Sequence, residues 1–303
     1  MRSDALFILG VLLFFFILWF ASGGPTRPIS FAGPYITPIT DIDTVQEGYG
    51  DDGYWTGSTW SDFMGGAIGD SLTGISNPSP LRGTVSVTSA AGAASTEPNE
   101  EYIIIRARGD EPVDITGWRV VSGASGRGAR IPEGAALPRS GRLSDTSRIV
   151  LQPGDEAYIV TGESPNGVSF KENKCTGYFS RRQDYVPPLE MRCPSASSEF
   201  EAHYAGNELR DDRCYYRMQA TSLCETPSDN NVSNHCIALI DDYLTYNGCV
   251  EKHRADADFD LKTWRIYLEY ENSRGKPAEL WKPTRDAVKL LDASGKTVDL
   301  YTY

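Results

Sequence analysis

The chain predicts a mainly β fold: a two-sheet sandwich carrying a disulfide-rich, partly α-helical insertion, preceded by one N-terminal transmembrane helix. Three observations predict it. Two blocks of short β-patterned segments, residues 81–165 and 260–303, are punctuated by turn residues every 8–12 positions. Between them, residues 166–258 hold every cysteine of the chain, Cys175, Cys193, Cys214, Cys224, Cys236 and Cys249. Ahead of both lies an uncharged, proline-free apolar run, Ala5–Ala21.

That run is at the short end of what a helix needs to cross a bilayer, with Arg2 before it and Trp19 near its far end. It predicts an uncleaved anchor over residues 5–21, with residues 22–303 extracytoplasmic. A cleaved signal peptide ending at Ala21-Ser22-Gly23 is the competing reading. Residues 22–80 show no sustained period and are rich in Gly, Ser and scattered aromatics. Arg27 is their one basic residue, against a run of acids from Asp41 to Asp70. They predict a flexible acidic tether that would span about 40 Å as a coil. Its Trp55, Trp60 and Phe63 read either as unanchored aromatics or as a docking motif.

From Leu81 the texture changes. Val85 and Val87 alternate with polar residues, and Glu101–Ala107 is a β-branched run bounded by charged turn residues. Strands are expected at Trp118–Val121, Arg148–Leu151 and Glu156–Thr161, with Tyr158 and Val160 on one face. The C-terminal block begins at Trp264–Leu268. It ends in the clearest hairpin of the chain, in which Ala287–Leu291 and Thr297–Tyr301 are joined through Asp292-Ala293-Ser294-Gly295. Trp118, Tyr102 and Ile104 are expected in the core. In the insertion, Asn207–Ala220 reads as a helix. Ser233 caps a second one, whose Cys236, Leu239, Ile240 and Tyr243 share a face.

An even number of cysteines confined to one core-poor stretch of an exported chain predicts three disulfides. Zinc is the weaker reading, since no C-x-x-C pair occurs. For the pairing, Cys175–Cys193 is favoured, with either Cys224–Cys236 and Cys214–Cys249 or the sequential Cys214–Cys224 and Cys236–Cys249. Only the oxidation of all six is a firm expectation.

The formal net charge of −12 repels phosphates and argues against nucleic acid. Chemistry-bearing motifs are few. His203, His235 and His253 sit in no catalytic signature, although His203, His235 and Glu251 define an alternative reading as a surface hydrolase. Asp256, Asp258 and Asp260 have the D-x-D-x-D spacing of a calcium loop. Leu261 follows where glycine is wanted, and Tyr267 stands in the place of the bidentate Glu, so a solvated acidic linker competes. Gly123–Gly128 resembles a phosphate loop without its helix and reads as a hairpin turn. No cofactor is expected. The expected partners are the membrane, through the N-terminal helix, and a protein or cell-surface partner.

The segment Asn99-Glu100-Glu101-Tyr102, followed by Gly109-Asp110-Glu111-Pro112-Val113-Asp114-Ile115-Thr116-Gly117-Trp118, resembles the lamin tail domain family. Leu151-Gln152-Pro153-Gly154-Asp155 and the run from Val288 to Asp299 resemble later elements of the same family. The resemblance covers residues 81–165 and 260–303 and implies an immunoglobulin-like sandwich with a binding or structural, non-catalytic role. The cysteine insertion departs from the family pattern and puts the ligand in doubt.

Overall fold

The computed structural model describes residues 77–141, 143–204, 211–228 and 230–303. The apolar run Ala5–Ala21 and the tether up to residue 76 lie outside them. Among the described residues no helix is long and apolar enough to cross a membrane. The fold reaches back into the expected tether. Thr297 N donates to Asn77 O, Ser79 N to Thr297 O, and Ser79 Oγ to Asp292 at 2.6 Å.

Among the described residues, twelve strands form two main sheets and a short two-stranded one. The six-stranded sheet runs in the order β1 (Val85–Ser89), β2 (Tyr102–Ala107), β8 (Glu156–Val160), β10 (Asp260–Tyr267), β9 (Ser169–Asn173), β6 (Gly134–Ala135). The four-stranded sheet runs β12 (Thr297–Thr302), β11 (Ala287–Leu291), β4 (Arg119–Ser122), β5 (Gly128–Arg130), while β3 (Val113–Asp114) pairs with β7 (Val150–Leu151). Val85, Ile105, Ile159 and Ile266 of one sheet meet Val120, Val288, Leu290 and Val298 of the other in a single buried cluster. Trp118 lies in it at 2% exposure, with Val113 and Ile115 also buried. Both sequence blocks therefore build one core.

The face of β2 differs from expectation. Ile103 and Ile105 are fully buried in this core. Tyr102 and Ile104 point to the opposite side, where both are half-buried and Tyr102 packs against a second cluster. A sheet covered on both faces has no polar alternation to set its register in the sequence. Glu101 immediately precedes this strand. It is fully buried, and its carboxylate accepts from the N–H groups of Leu280 (2.7 Å) and Trp281 (3.0 Å).

Local turn chemistry behaves as the residues dictate. Asp292 accepts from the N–H groups of Ser294 and Lys296, and Gly295 takes φ +80°, closing the β11–β12 hairpin. Gly123–Gly128 is the β4–β5 turn, with Gly126 at φ +71°. Asp286 is the polar hub beside β11. Burial works to raise its carboxyl, but hydrogen bonds from Ser122 Oγ and from the Lys282, Ala124 and Ala287 N–H groups outweigh it and hold the group below its ordinary value.

The insertion starts later than expected, because its first strand, β9, belongs to the six-stranded sheet and pairs with both β10 and β6. The residues between β9 and β10 cover the outer face of that sheet. Phe170, Tyr178, Phe179, Tyr185, Tyr246 and Tyr267 join four half-cystines there in the second cluster. Helices α1 (Ala196–His203), α2 (Asp212–Ala220) and α3 (Asn234–Tyr243) build a third cluster, and α4 (Tyr246–His253) belongs to the second. Ser233 caps α3 as expected, accepting from Cys236 N, and Cys236, Leu239 and Ile240 are buried.

All six cysteines are oxidised, as Cys175–Cys249, Cys193–Cys224 and Cys214–Cys236. None of the pairings expected from the sequence is the observed one. Cys175 and Cys249 meet because β9 and α4 converge over the sheet. Cys214 meets Cys236 because α2 and α3 bury those positions against each other.

Two outcomes are expected in urea denaturation. Ile105→Ala should cost about 2–5 kcal/mol and Ile104→Ala less than half as much; equal losses would contradict the observed face of β2. Asp286→Asn should lower stability at pH 7 by about 1–3 kcal/mol. Because the folded Asp286 value is depressed, its contribution is present above the unfolded carboxylate value of about 4 and lost as pH falls through the folded one. The variant should therefore show a flatter acid limb than the parent.

Candidate binding surface

The insertion is held to the sheet by a buried ion pair. Arg265 on β10 and Glu172 on β9 are 3% and 0% exposed and meet at 2.5 Å. The other guanidinium nitrogens donate to the carbonyls of Pro187 (2.7 Å) and Pro188 (2.9 Å), and the group lies 4.3 Å from the Tyr158 ring centroid. Glu172 also accepts from Glu190 N. Burial pushes the Glu172 carboxyl up from its ordinary value, and the Arg265 charge pulls it back only in part. One guanidinium thus fixes the Pro187–Glu190 loop over the sheet.

The acidic triplet is built into a different contact from a calcium loop. Lys174 Nζ lies 2.9 Å from Asp256 and 2.5 Å from Asp258, holding both carboxyls below their ordinary values. Asp256 also contacts His253 Nδ1 at 3.0 Å. His253 Nε2 and His203 Nε2 flank the buried Glu199 carboxylate at 3.5 and 3.6 Å, and the His203 ring stacks on Tyr243. These contacts tie α1, α4 and the start of β10 together. Among the described residues no group of His, Cys, Asp and Glu is arranged to hold a metal ion. His203, His235 and Glu251 share no hydrogen bond, ion pair or cavity there.

Three recesses among the described residues bear on binding. A 650 Å³ cleft beside β10 is rich in charge, and six of its side chains are paired with each other, as Arg106–Glu156 (3.2 Å), Arg192–Glu190 (2.8 Å) and Lys174–Asp258. A 420 Å³ recess lies where the Arg139–Gly141 loop meets Phe179 and Arg182 of the insertion. That loop is secured by Tyr246 Oη donating to Pro138 O at 2.6 Å.

The third recess, of 400 Å³, lies along α2, where Arg213, Tyr216, Arg217 and Ala220 face Asn230, Asn231 and Val232. Tyr216 is 68% exposed, and its neighbours Tyr215 and Leu223 are both 41% exposed. Among the described residues only Leu143 is another exposed large apolar side chain. The sequence reading missed this face. The signal was present in Tyr215-Tyr216 between Arg213 and Arg217, where helical spacing puts Cys214 and Met218 inward and the others outward.

No family model and no curated protein matches the chain.

Replacing Arg265 by Met should destabilise the protein by about 3–5 kcal/mol, because Glu172 is left charged and buried. The double variant Arg265→Met with Glu172→Met should recover most of the loss. A double variant as unstable as the single one, by thermal denaturation, would assign the cost to the lost Pro187 and Pro188 contacts instead.

Proposed function

We propose that the chain is a membrane-anchored, extracytoplasmic protein whose folded region is a non-catalytic binding or structural domain for a protein or cell-surface partner. In this reading the two sheets form an immunoglobulin-like sandwich similar to a lamin tail domain. Residues 5–21 anchor it, and the cystine-stapled insertion sets what it recognises.

The observation that carries the reading is the complete oxidation of the six cysteines, all within the segment that covers the second face of the sheet. Disulfides persist in oxidising compartments, and here they stand in for core in helices with little of it. A second support is that the segments bearing the family resemblance, around β2, β4 and the β11–β12 hairpin, all feed one core.

Thiol titration of the freshly isolated, denatured, non-reduced protein tests the placement. No reactive thiol is expected, and protease added to intact cells should remove the domain. Six free thiols, or full protection from external protease, would sink the proposal. Reductant should then loosen the helical insertion, each bridge contributing about 2–4 kcal/mol.

A further inference from the structure

The loop that joins α2 to α3 carries the one N-x-S/T acceptor sequence of the chain, Asn231-Val232-Ser233. Asn77-Pro78-Ser79 has the same end residues, but its central Pro excludes it. Such a sequence takes an N-linked sugar where it lies on a surface loop of an exported chain. Asn231 meets the first condition. It is exposed, sits in a turn and holds φ +62°, a left-handed conformation that asparagine tolerates better than most residues. The second condition rests on the extracytoplasmic placement proposed above, for which the Cys214–Cys236 bridge between the two flanking helices is part of the support.

Side-chain geometry leaves the acceptor atom open. Arg213 donates to Asn231 Oδ1 at 2.8 Å, while Asn231 Nδ2 makes no hydrogen bond among the described residues. Ser233, in contrast, is fully engaged. Its hydroxyl accepts from Cys236 N at 3.1 Å and donates to Asp211 at 2.5 Å. A transferase that reads this hydroxyl meets it free only before α3 closes on its cap, so the modification belongs to the emerging chain.

The same asparagine lines the 400 Å³ recess along α2. Tyr216 lines it too and is 68% exposed, with the Tyr215 ring edge-on beside it at 5.5 Å between centroids. A tyrosine ring is apolar on its face and polar at its tip, which matches the C–H face and hydroxyl rim of a sugar. We propose that Asn231 carries an N-linked oligosaccharide whose first sugar lies in this recess against Tyr216. Covalent attachment at the rim selects the occupant, whatever the charge of the face. The donor is a polyprenyl diphosphate oligosaccharide, handled by a membrane transferase. Asn231 Nδ2 forms the bond to the anomeric carbon, the bond from that carbon to the diphosphate breaks, the lipid diphosphate leaves, and the amide nitrogen gives up one proton.

The experiment isolates the full chain in detergent from its own cells, blocks free thiols, then reduces, digests with trypsin and reads the peptide of residues 218–252 by mass spectrometry. That peptide should carry a sugar mass on Asn231. Asn231→Asp keeps an oxygen for Arg213 and the tolerance of positive φ, and should lose the sugar. Ser233→Thr keeps both the acceptor sequence and the α3 cap, and should retain it. Tyr216 should be protected from iodination in the parent chain and lose that protection in Asn231→Asp. An unmodified parent peptide, or a sugar that persists in Asn231→Asp, would overturn the assignment. Equal iodination of Tyr216 in the two chains would overturn the seat of the sugar in the recess. The thiols blocked in the same sample separate this failure from that of the placement. An unmodified peptide with all six cysteines oxidised overturns the sugar alone, and one with free thiols overturns both.

Discussion

Arg265 sits on the outer face of a β-sheet that has no water-facing side, and the placement of the insertion depends on satisfying it. A charge there costs several kcal/mol to desolvate unless its donors are all matched. Glu172 supplies the opposite charge from the neighbouring strand, Tyr158 supplies a ring face, and the Pro187 and Pro188 carbonyls take the remaining nitrogens. Those carbonyls belong to the insertion. The second layer is therefore no appendage on a finished sandwich; it completes the environment of a side chain in the sheet.

The two layers over that sheet are stabilised differently. The first core is aliphatic and crosses from sheet to sheet, with Ile103, Ile105, Ile159, Val120, Val288 and Leu290 fully buried. The second is aromatic and sulfur-rich, with four half-cystines among Tyr and Phe side chains, and the third places one disulfide between helices that bury few other residues. Covalent links constrain the unfolded chain where apolar area is scarce. The charged contacts around Glu199, His253, Asp256 and Lys174 bridge these pieces, and two of the three acids that read like a cation loop in sequence, Asp256 and Asp258, meet the Lys174 amine instead.

Sequence made some of this legible and hid the rest for physical reasons. The β11–β12 hairpin and the Ser233 cap are local: Asp292, Gly295 and Ser233 act on backbone groups a few residues away. The existence of β2 was legible but its face was not, because Tyr102-Ile103-Ile104-Ile105 is apolar on both sides of a doubly covered strand. β9 was absorbed into the insertion since Ser169–Asn173 carries Lys171 and Glu172, a composition that becomes strand only with Arg265 opposite. The short α1 went unread, and the disulfide partners depended on how α4 and β9 converge over the sheet, which no spacing records.

The bridges are nested and interleaved. Cys175–Cys249 encloses the other two, and Cys193–Cys224 overlaps Cys214–Cys236. No bond joins cysteines that are neighbours in the sequence. A chain oxidised from its N-terminus as it emerges meets Cys175 with Cys193 first, then Cys214 with Cys224, and each such pair is non-native. Glu156 of β8 must meanwhile wait for Thr263 of β10, its parallel partner across the whole insertion. Any such neighbour pair would have to be undone by thiol–disulfide exchange before the observed bridges could form.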